Sequence, residues 1–153
     1  TTEVTNELIT KTNECITEEG LKNSSAKLYP KGSLVIAMYG QGTTRGRTAK
    51  LGIETTTNQA CAVLYEKIID FDTDYVWAYL KSQYENLRSI SHGSAQPNLT
   101  AGDISNFAIV LPPLAEQKRI VGLVEAEEQK IAATKQIMAE CPERKRAVLQ
   151  KWL

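Results

Sequence analysis

The chain has 153 residues, 42% of them hydrophobic, and its 18 lysines and arginines are matched by 18 aspartates and glutamates. That length and apolar content suffice for one ordinary domain with its own core plus an appendage, and they exclude a wholly disordered chain. Zero net charge gives no global signature of a polyanion partner, so a nucleic-acid reading has to rest on local charge.

Cys15, Cys61 and Cys141 are odd in number and far apart, which fits neither a disulfide framework nor a CxxC metal site. A reducing cytoplasm is the expected location. No run reaches about 18 apolar residues, the length of a membrane span. The opening "TTEVTNELIT" lacks the basic start and apolar core of a signal peptide, so the expectation is a soluble chain with no membrane partner.

In chain order, residues 1–30 scatter Val4, Leu8, Ile9, Ile16, Leu21 and Leu28 among polar residues, predicting short strands or one short helix. From Leu34 to Tyr39 a continuous apolar run bounded by Gly32 and Gly40 predicts a strand buried on both faces. Next comes "YGQGTTRGRTAKLGI", in which glycines free the backbone for close approach and Arg45, Arg47 and Lys50 supply charge. "TTTNQACAVLYEK" then returns to strand chemistry, with Ala60, Ala62 and Leu64 on one face and Cys61, Val63 and Tyr65 on the other. Two strands thus bracket a basic, glycine-rich loop, Gln41 to Lys50.

Between Asp74 and Ile90, Val76, Trp77, Tyr79, Leu80, Tyr84 and Leu87 recur at helical spacing, with Asp72 to Asp74 offering the N-cap. The aromatic residues of this helix are read as core rather than as stacking platforms. "SISHGSAQPNLT" follows as a polar loop, Asp103 can cap a short turn, and "FAIVLPPL" predicts a strand stopped by Pro112 and Pro113, which have no amide hydrogen to donate.

Residues 114–153 are rich in good helix formers. Taking Ile120, Val124, Glu127, Ile131, Thr134, Met138, Cys141, Lys145, Val148 and Trp152 as alternating four-three positions gives a coiled-coil seam weakened by Glu127 and Lys145. Such a seam needs a partner helix. Pro142 is predicted to interrupt or kink the helix, which leaves open a helical hairpin with a short second arm. Residues 1–113 carry 10 basic and 12 acidic side chains, and residues 114–153 carry 8 and 6, a split too small to identify a partner.

The order of "GSLVIAMYGQGTTRGRTAKLGI", "TTNQA", "YVWAYLKSQYENLR", "GSAQPNLT" and "IVLPPLAEQKRIV" resembles the specificity subunit of type I restriction-modification systems. The resemblance covers roughly residues 5–153, and "LPPLAEQKRIV" after "GSAQPNL" is its most specific part. It implies an α/β (α+β) fold: a compact mixed-strand target recognition domain, residues 1–113, followed by a long C-terminal helix, residues 114–153, that pairs as an antiparallel coiled coil. The domain would read one half of a split site in double-stranded DNA. The helix would space two recognition domains and dock the methyltransferase subunits, with the restriction subunit engaged indirectly. Family domains open with a further stretch ahead of the part that Thr1 enters, so the resemblance implies the C-terminal portion of a specificity subunit or a natural short form. A half-length form could pair through its helices into a two-fold dimer reading a palindromic split site.

On this reading the DNA-binding candidates are Thr43, Thr44, Arg45, Arg47 and Lys50 in the first loop and Ser91, His92, Ser94 and Gln96 in the second. Cations would contact phosphates, and one arginine could pair bidentately with guanine; the plainer alternative is a solvated hairpin tip. Asn58 and Gln59 could read adenine, but a turn-capping role is preferred. Gly93 to Leu99 is read mainly as a structural signature. The helix-pairing candidates are Ile120, Val124, Ile131, Met138, Val148 and Trp152. No phosphate loop, GxGxxG, methyltransferase tetrapeptide or nuclease cluster occurs, and the single histidine has no metal or triad companion, so neither catalysis, cofactor nor metal is expected. A helical adaptor that binds methyltransferase or specificity subunits without reading DNA is the competing function.

Overall fold

The computed structural model of the chain describes residues 1–40, 42–65, 69–91 and 97–152. Its central element is β3 (Leu34–Ala37), buried at all four positions. It lies between β4 (Thr48–Leu51) and β6 (Cys61–Leu64), antiparallel to both, while β1 (Leu8–Ile9) adds in parallel on the outer side of β4. A second, two-stranded sheet pairs β2 (Leu28–Tyr29) with β5 (Thr55–Thr56). The short helix α1 (Glu18–Lys22) begins at Thr17, whose side chain accepts from the Gly20 amide.

Because successive strand residues point to opposite faces, β3 serves two cores at once. Leu34 and Ile36 pack with Tyr75, Val76, Leu80 and Leu87, while Val35 and Ala37 pack with Val4, Ala49 and Leu51. β6 repeats the pattern: Ala62 and Leu64 face the first cluster, Cys61 and Val63 the second. The strand read as running to Tyr39 ends at Ala37, and Tyr39 is exposed. Burial pushes the Cys61 thiol above its ordinary pKa.

The predicted Asp74–Ile90 helix forms as two pieces, α2 (Thr73–Ser82) and α3 (Tyr84–Ser89), joined at Gln83. Asp72 caps α2, accepting from the Asp74 and Tyr75 amides at 2.9 and 3.0 Å. Helix α4 (Ala101–Ser105) carries a capping box in which Thr100 and Asp103 satisfy each other's backbone donors. Here the structure corrects a detail, because Thr100 is the cap and Asp103 its third-position partner.

The strand expected at "FAIVLPPL" does not form. The segment runs unpaired along the helices, and Phe107, Ile109 and Leu111 insert into the first core cluster. Its backbone is satisfied partly by side chains, as where the Tyr75 hydroxyl donates to the Val110 carbonyl at 2.8 Å. From Leu114 to Trp152 the chain is one helix of 39 residues, α5, continuous through Pro142. The proline therefore does not interrupt it, and the described residues leave no hairpin. The α+β body followed by a long helix is the fold class expected. No helix among the described residues is long and apolar enough to cross a membrane.

Candidate nucleic-acid interface

The loop between β3 and β4 is shorter than the sequence suggests. Thr48 to Leu51 are drawn into the sheet, with Lys50 paired opposite both Leu34 of β3 and Leu8 of β1. Lys50 is thus a strand residue, and its ammonium sits 2.6 Å from Asp74 in the first turn of α2. Of the three predicted loop cations, Arg45 and Arg47 remain on the loop itself.

At the loop's closing end, Gly46 donates to the Ala37 carbonyl at 2.9 Å, and the Arg47 carbonyl accepts from the Ala37 amide at 2.9 Å. Two residues thus oppose one, with Gly46 at φ +82°, the arrangement of a glycine bulge that re-aims the chain. A side chain at Gly46 would be both conformationally strained and only 3.1 Å from the Arg88 side chain. Helix α3 therefore approaches the loop backbone closely at this point.

That approach carries a set of bonds. The Tyr84 hydroxyl donates to the Thr43 carbonyl at 2.7 Å, and Arg88 Nη1 donates to the Arg45 carbonyl at 3.1 Å and to the Tyr84 oxygen at 3.2 Å. The Arg88 guanidinium also lies 5.3 Å from the Tyr84 ring centre, within cation–π range. Arg45 Nη1 donates to the Pro97 carbonyl, and the Leu99 amide donates to the Met38 carbonyl at 3.0 Å, with Leu99 fully buried. One surface is thereby assembled from the β3–β4 loop, α3 and the chain at 97–99. The two loops singled out in the sequence meet there.

Within it the predicted residues divide. Thr43 is exposed, and its Oγ1 accepts from Arg47 Nη2 at 2.8 Å. Thr44 is half-buried against Gly40. Arg45 is half-buried and fastens two segments together, so its side chain already has a structural partner. The Arg47 side chain, among the bonds described, reaches only Thr43 of its own loop. The Ser91 hydroxyl donates to the Arg88 carbonyl at 2.7 Å, while His92, Ser94 and Gln96 lie outside the described residues. Asn58 caps its own turn, its Oδ1 accepting from the Ala60 amide at 3.1 Å, the structural role preferred for it. With Gln59 it borders a separate cleft of about 530 Å³ between the N-terminal residues and the sheet.

Sequence reasoning missed Arg88 and took Tyr84 as core. The signal was present as an i, i+4 Tyr–Arg pair on one helix face, but its target, a loop some 40 residues upstream in sequence, was not. Gln117 was missed too. It is the one buried residue of α5 among those described, 2% exposed, and its Oε1 accepts from the Asp72 amide at 2.8 Å while its Nε2 donates to the Pro112 carbonyl at 2.7 Å. Eleven residues on, Glu128 meets Lys81 of α2 at 3.0 Å, and Lys81 in turn lies 4.6 Å from the Trp77 ring centre. Eleven residues return a helix to nearly the same face, so α5 is fastened to α2 at two points about 16 Å apart along its axis. Two points on one line fix a direction, which a single point does not.

Of the pairing candidates, Ile120 packs against the first core cluster and Val124 is half-buried, whereas Ile131, Met138, Val148 and Trp152 are exposed. Among the described residues no group of three or more His, Cys, Asp or Glu side chains is placed to hold a metal.

Residues 2–143 match the protein family described as "Type I restriction modification DNA specificity domain". The fold is similar to a solved chain described under "Structural basis underlying complex assembly and conformational transition of the type I R-M system", with a TM-score of 0.63 and 25% identity, over 74% of this chain and 27% of that one. It is similar in fold also to the HsdS subunit from Thermoanaerobacter tengcongensis, with a TM-score of 0.57 and 24% identity, over 71% of this chain and 25% of that one. The chain thus corresponds to about a quarter of the length of these relatives. The family match over nearly the whole chain, on a body and helix of this architecture, shows that the chain belongs to the type I restriction modification DNA specificity domain family.

Proposed function

We propose that this chain is a sequence-specific DNA-binding specificity subunit of a type I restriction-modification system, or the C-terminal part of one, selecting sequence without catalysing a reaction. Residues 1–113 act as the recognition domain, and α5 sets its distance from a second such domain while docking methyltransferase subunits, through which the restriction subunit is engaged. The three free cysteines suit the reducing cytoplasm in which such a complex works. The observation that carries the reading is the clamped basic loop. Arg88 and Tyr84 hold its backbone, so Arg47 and Thr43 present a donor and hydroxyl pair from a pre-organised surface, which lowers the ordering cost of binding. Of the other candidates, Thr44, Arg45 and Ser91 act mainly by shaping that surface, Lys50 ties β4 to α2 through Asp74, and His92, Ser94 and Gln96 lie outside the described residues.

A specific observation also favours the adaptor reading: Arg45 and Lys50 are both engaged within the fold, which leaves little free positive charge on the loop. One experiment separates the two. In a complex assembled with its methyltransferase subunits, Arg47→Ala should weaken binding to a cognate duplex and reduce the dependence on salt, as expected for loss of a phosphate or base contact. Absence of DNA binding by the unaltered complex at low salt, with subunit assembly intact, would select the adaptor.

A further inference from the structure

An unbroken run of burial ends at Tyr39. Ser33 to Met38 are all buried and β3 closes at Ala37, yet the next side chain, a tyrosine, is 42% exposed. Its backbone is nonetheless pinned on both sides. The Met38 amide donates to the Ala60 carbonyl at 2.9 Å, and the Met38 carbonyl accepts from the Leu99 amide at 3.0 Å. Gly40 lies so close to the loop that a Cβ there would stand 2.7 Å from the Thr44 Cβ. Tyr39 therefore stands at the stem of the clamped basic loop, one chain neighbour meeting Leu99 and the other meeting Thr44.

The other five tyrosines are engaged within the fold. Tyr29 and Tyr65 meet edge to face at 5.2 Å between ring centres, Tyr75 and Tyr79 lie at 6.3 Å, and the Tyr84 hydroxyl holds Thr43. Tyr39 has neither a ring contact nor a hydroxyl bond among those described. A tyrosine combines apolar faces and a polar tip with few rotatable bonds, so one that is exposed on a fixed backbone beside a cationic loop loses little freedom on binding.

We propose that Tyr39 is a specificity-determining residue of the DNA surface, its ring reading the methyl group of a thymine in the major groove beside the position engaged by Arg47, and its hydroxyl donating to a phosphate oxygen. This rests on the DNA-reading function proposed above and adds to it a residue and a base-edge chemistry. In a stacked duplex the base faces are covered, which leaves the edges to be read. The ring has no donor and acceptor pattern to match against a base edge, so the feature it distinguishes is the apolar group of the major groove, the thymine methyl. The hydroxyl contact fixes position and carries no sequence. Arg47 does the converse, supplying charge and hydrogen-bond donors that do not register a methyl group.

The test uses the complex assembled with its methyltransferase subunits on a cognate duplex in which each thymine in turn is replaced by uracil, a change that removes only the methyl. With the unaltered chain, one replacement should weaken binding by about fourfold, the worth of one buried methyl-sized group. Tyr39→Ala should bind the thymine duplex at least that much more weakly and should no longer distinguish thymine from uracil at that position. Tyr39→Phe, which keeps the ring, should retain the distinction while losing affinity about equally on both duplexes. A preference for thymine that survives Tyr39→Ala at every position, or a loss in that variant that is the same for thymine and uracil throughout, overturns the base-reading role. A complex that binds the duplex and responds to Arg47→Ala but not to Tyr39→Ala overturns the assignment of Tyr39 while leaving the DNA reading in place. An unaltered complex that binds no duplex at low salt overturns both.

Discussion

The sheet-and-helix body and α5 lie at opposite extremes of burial. β3 is hidden on both faces and touches two cores, whereas α5, nearly ten times as long, has one buried residue among those described, and that residue is polar. The body is held by apolar area that it buries within itself. The distal helix has only its own hydrogen bonds and whatever partner covers its stripe. On the proposed function, stability and assembly fall to different stretches of the chain, and changes in one should leave the other largely untouched.

The largest expected effect tests that separation. Leu80→Ala removes a side chain 1% exposed in the first cluster and should cost the body about 2 to 5 kcal/mol in urea unfolding. Ile131→Ala, on the free helix, should leave the same unfolding curve within about 0.5 kcal/mol. A comparable loss from both would show that the helix and body unfold as one unit, and the contrast would fail.

Pro142 provides the next test. Its ring removes the bond that residue 142 would donate to the Met138 carbonyl and crowds that turn, at a cost of about 3 kcal/mol in an interior helix position. Pro142→Ala should therefore slow amide exchange from about residue 139 onward, and leave exchange in β3 and β6 unchanged. Equal exchange in the two proteins would mean that the turn at Met138 is stabilised by something other than its own ladder.

The smallest of these effects probes the junction. Gln117→Ala leaves the Asp72 amide and the Pro112 carbonyl without their partners, at a cost of about 1 to 3 kcal/mol. Gln117→Glu keeps an acceptor for Asp72 and loses the donor to Pro112, so it should fall between. Distances between a spin label on α3 and one near Lys151 should broaden in the alanine variant even where the body stays folded. An unchanged distribution would show that the Lys81–Glu128 pair and the Ile120 contact suffice to hold the direction of α5.

How far these features could be read in advance follows from the range of the forces that make them. β3 and β6 were legible because a strand sealed on both faces needs an unbroken apolar run, and the alternation in β6 matches its two clusters residue by residue. The Asp72 cap was legible because capping is completed within three residues. Strand β4 was not: "TAKL" is polar and follows a glycine-rich stretch, and it becomes a strand only because β3 and β1 supply partners on both sides. "FAIVL" failed in the opposite sense, since its strand-like residues Phe107, Ile109 and Leu111 are used to fill the cluster between β3, β6 and α2 rather than to pair with a strand.

The candidate site divides in the same way. The chain by itself determined the family signature, the glycine positions that permit a tight loop, the charges placed on that loop and the seam of α5, because each depends on local conformation or on periodicity. Only the tertiary structure decided that Lys50 belongs to Asp74, that Arg45 is committed to Pro97, that Arg88 and Tyr84 hold the loop, and that Gln117 joins α2 to α5. Each of these contacts brings together groups 24 to 52 residues apart along the chain, and a hydrogen bond over that separation exists only once packing has placed both partners.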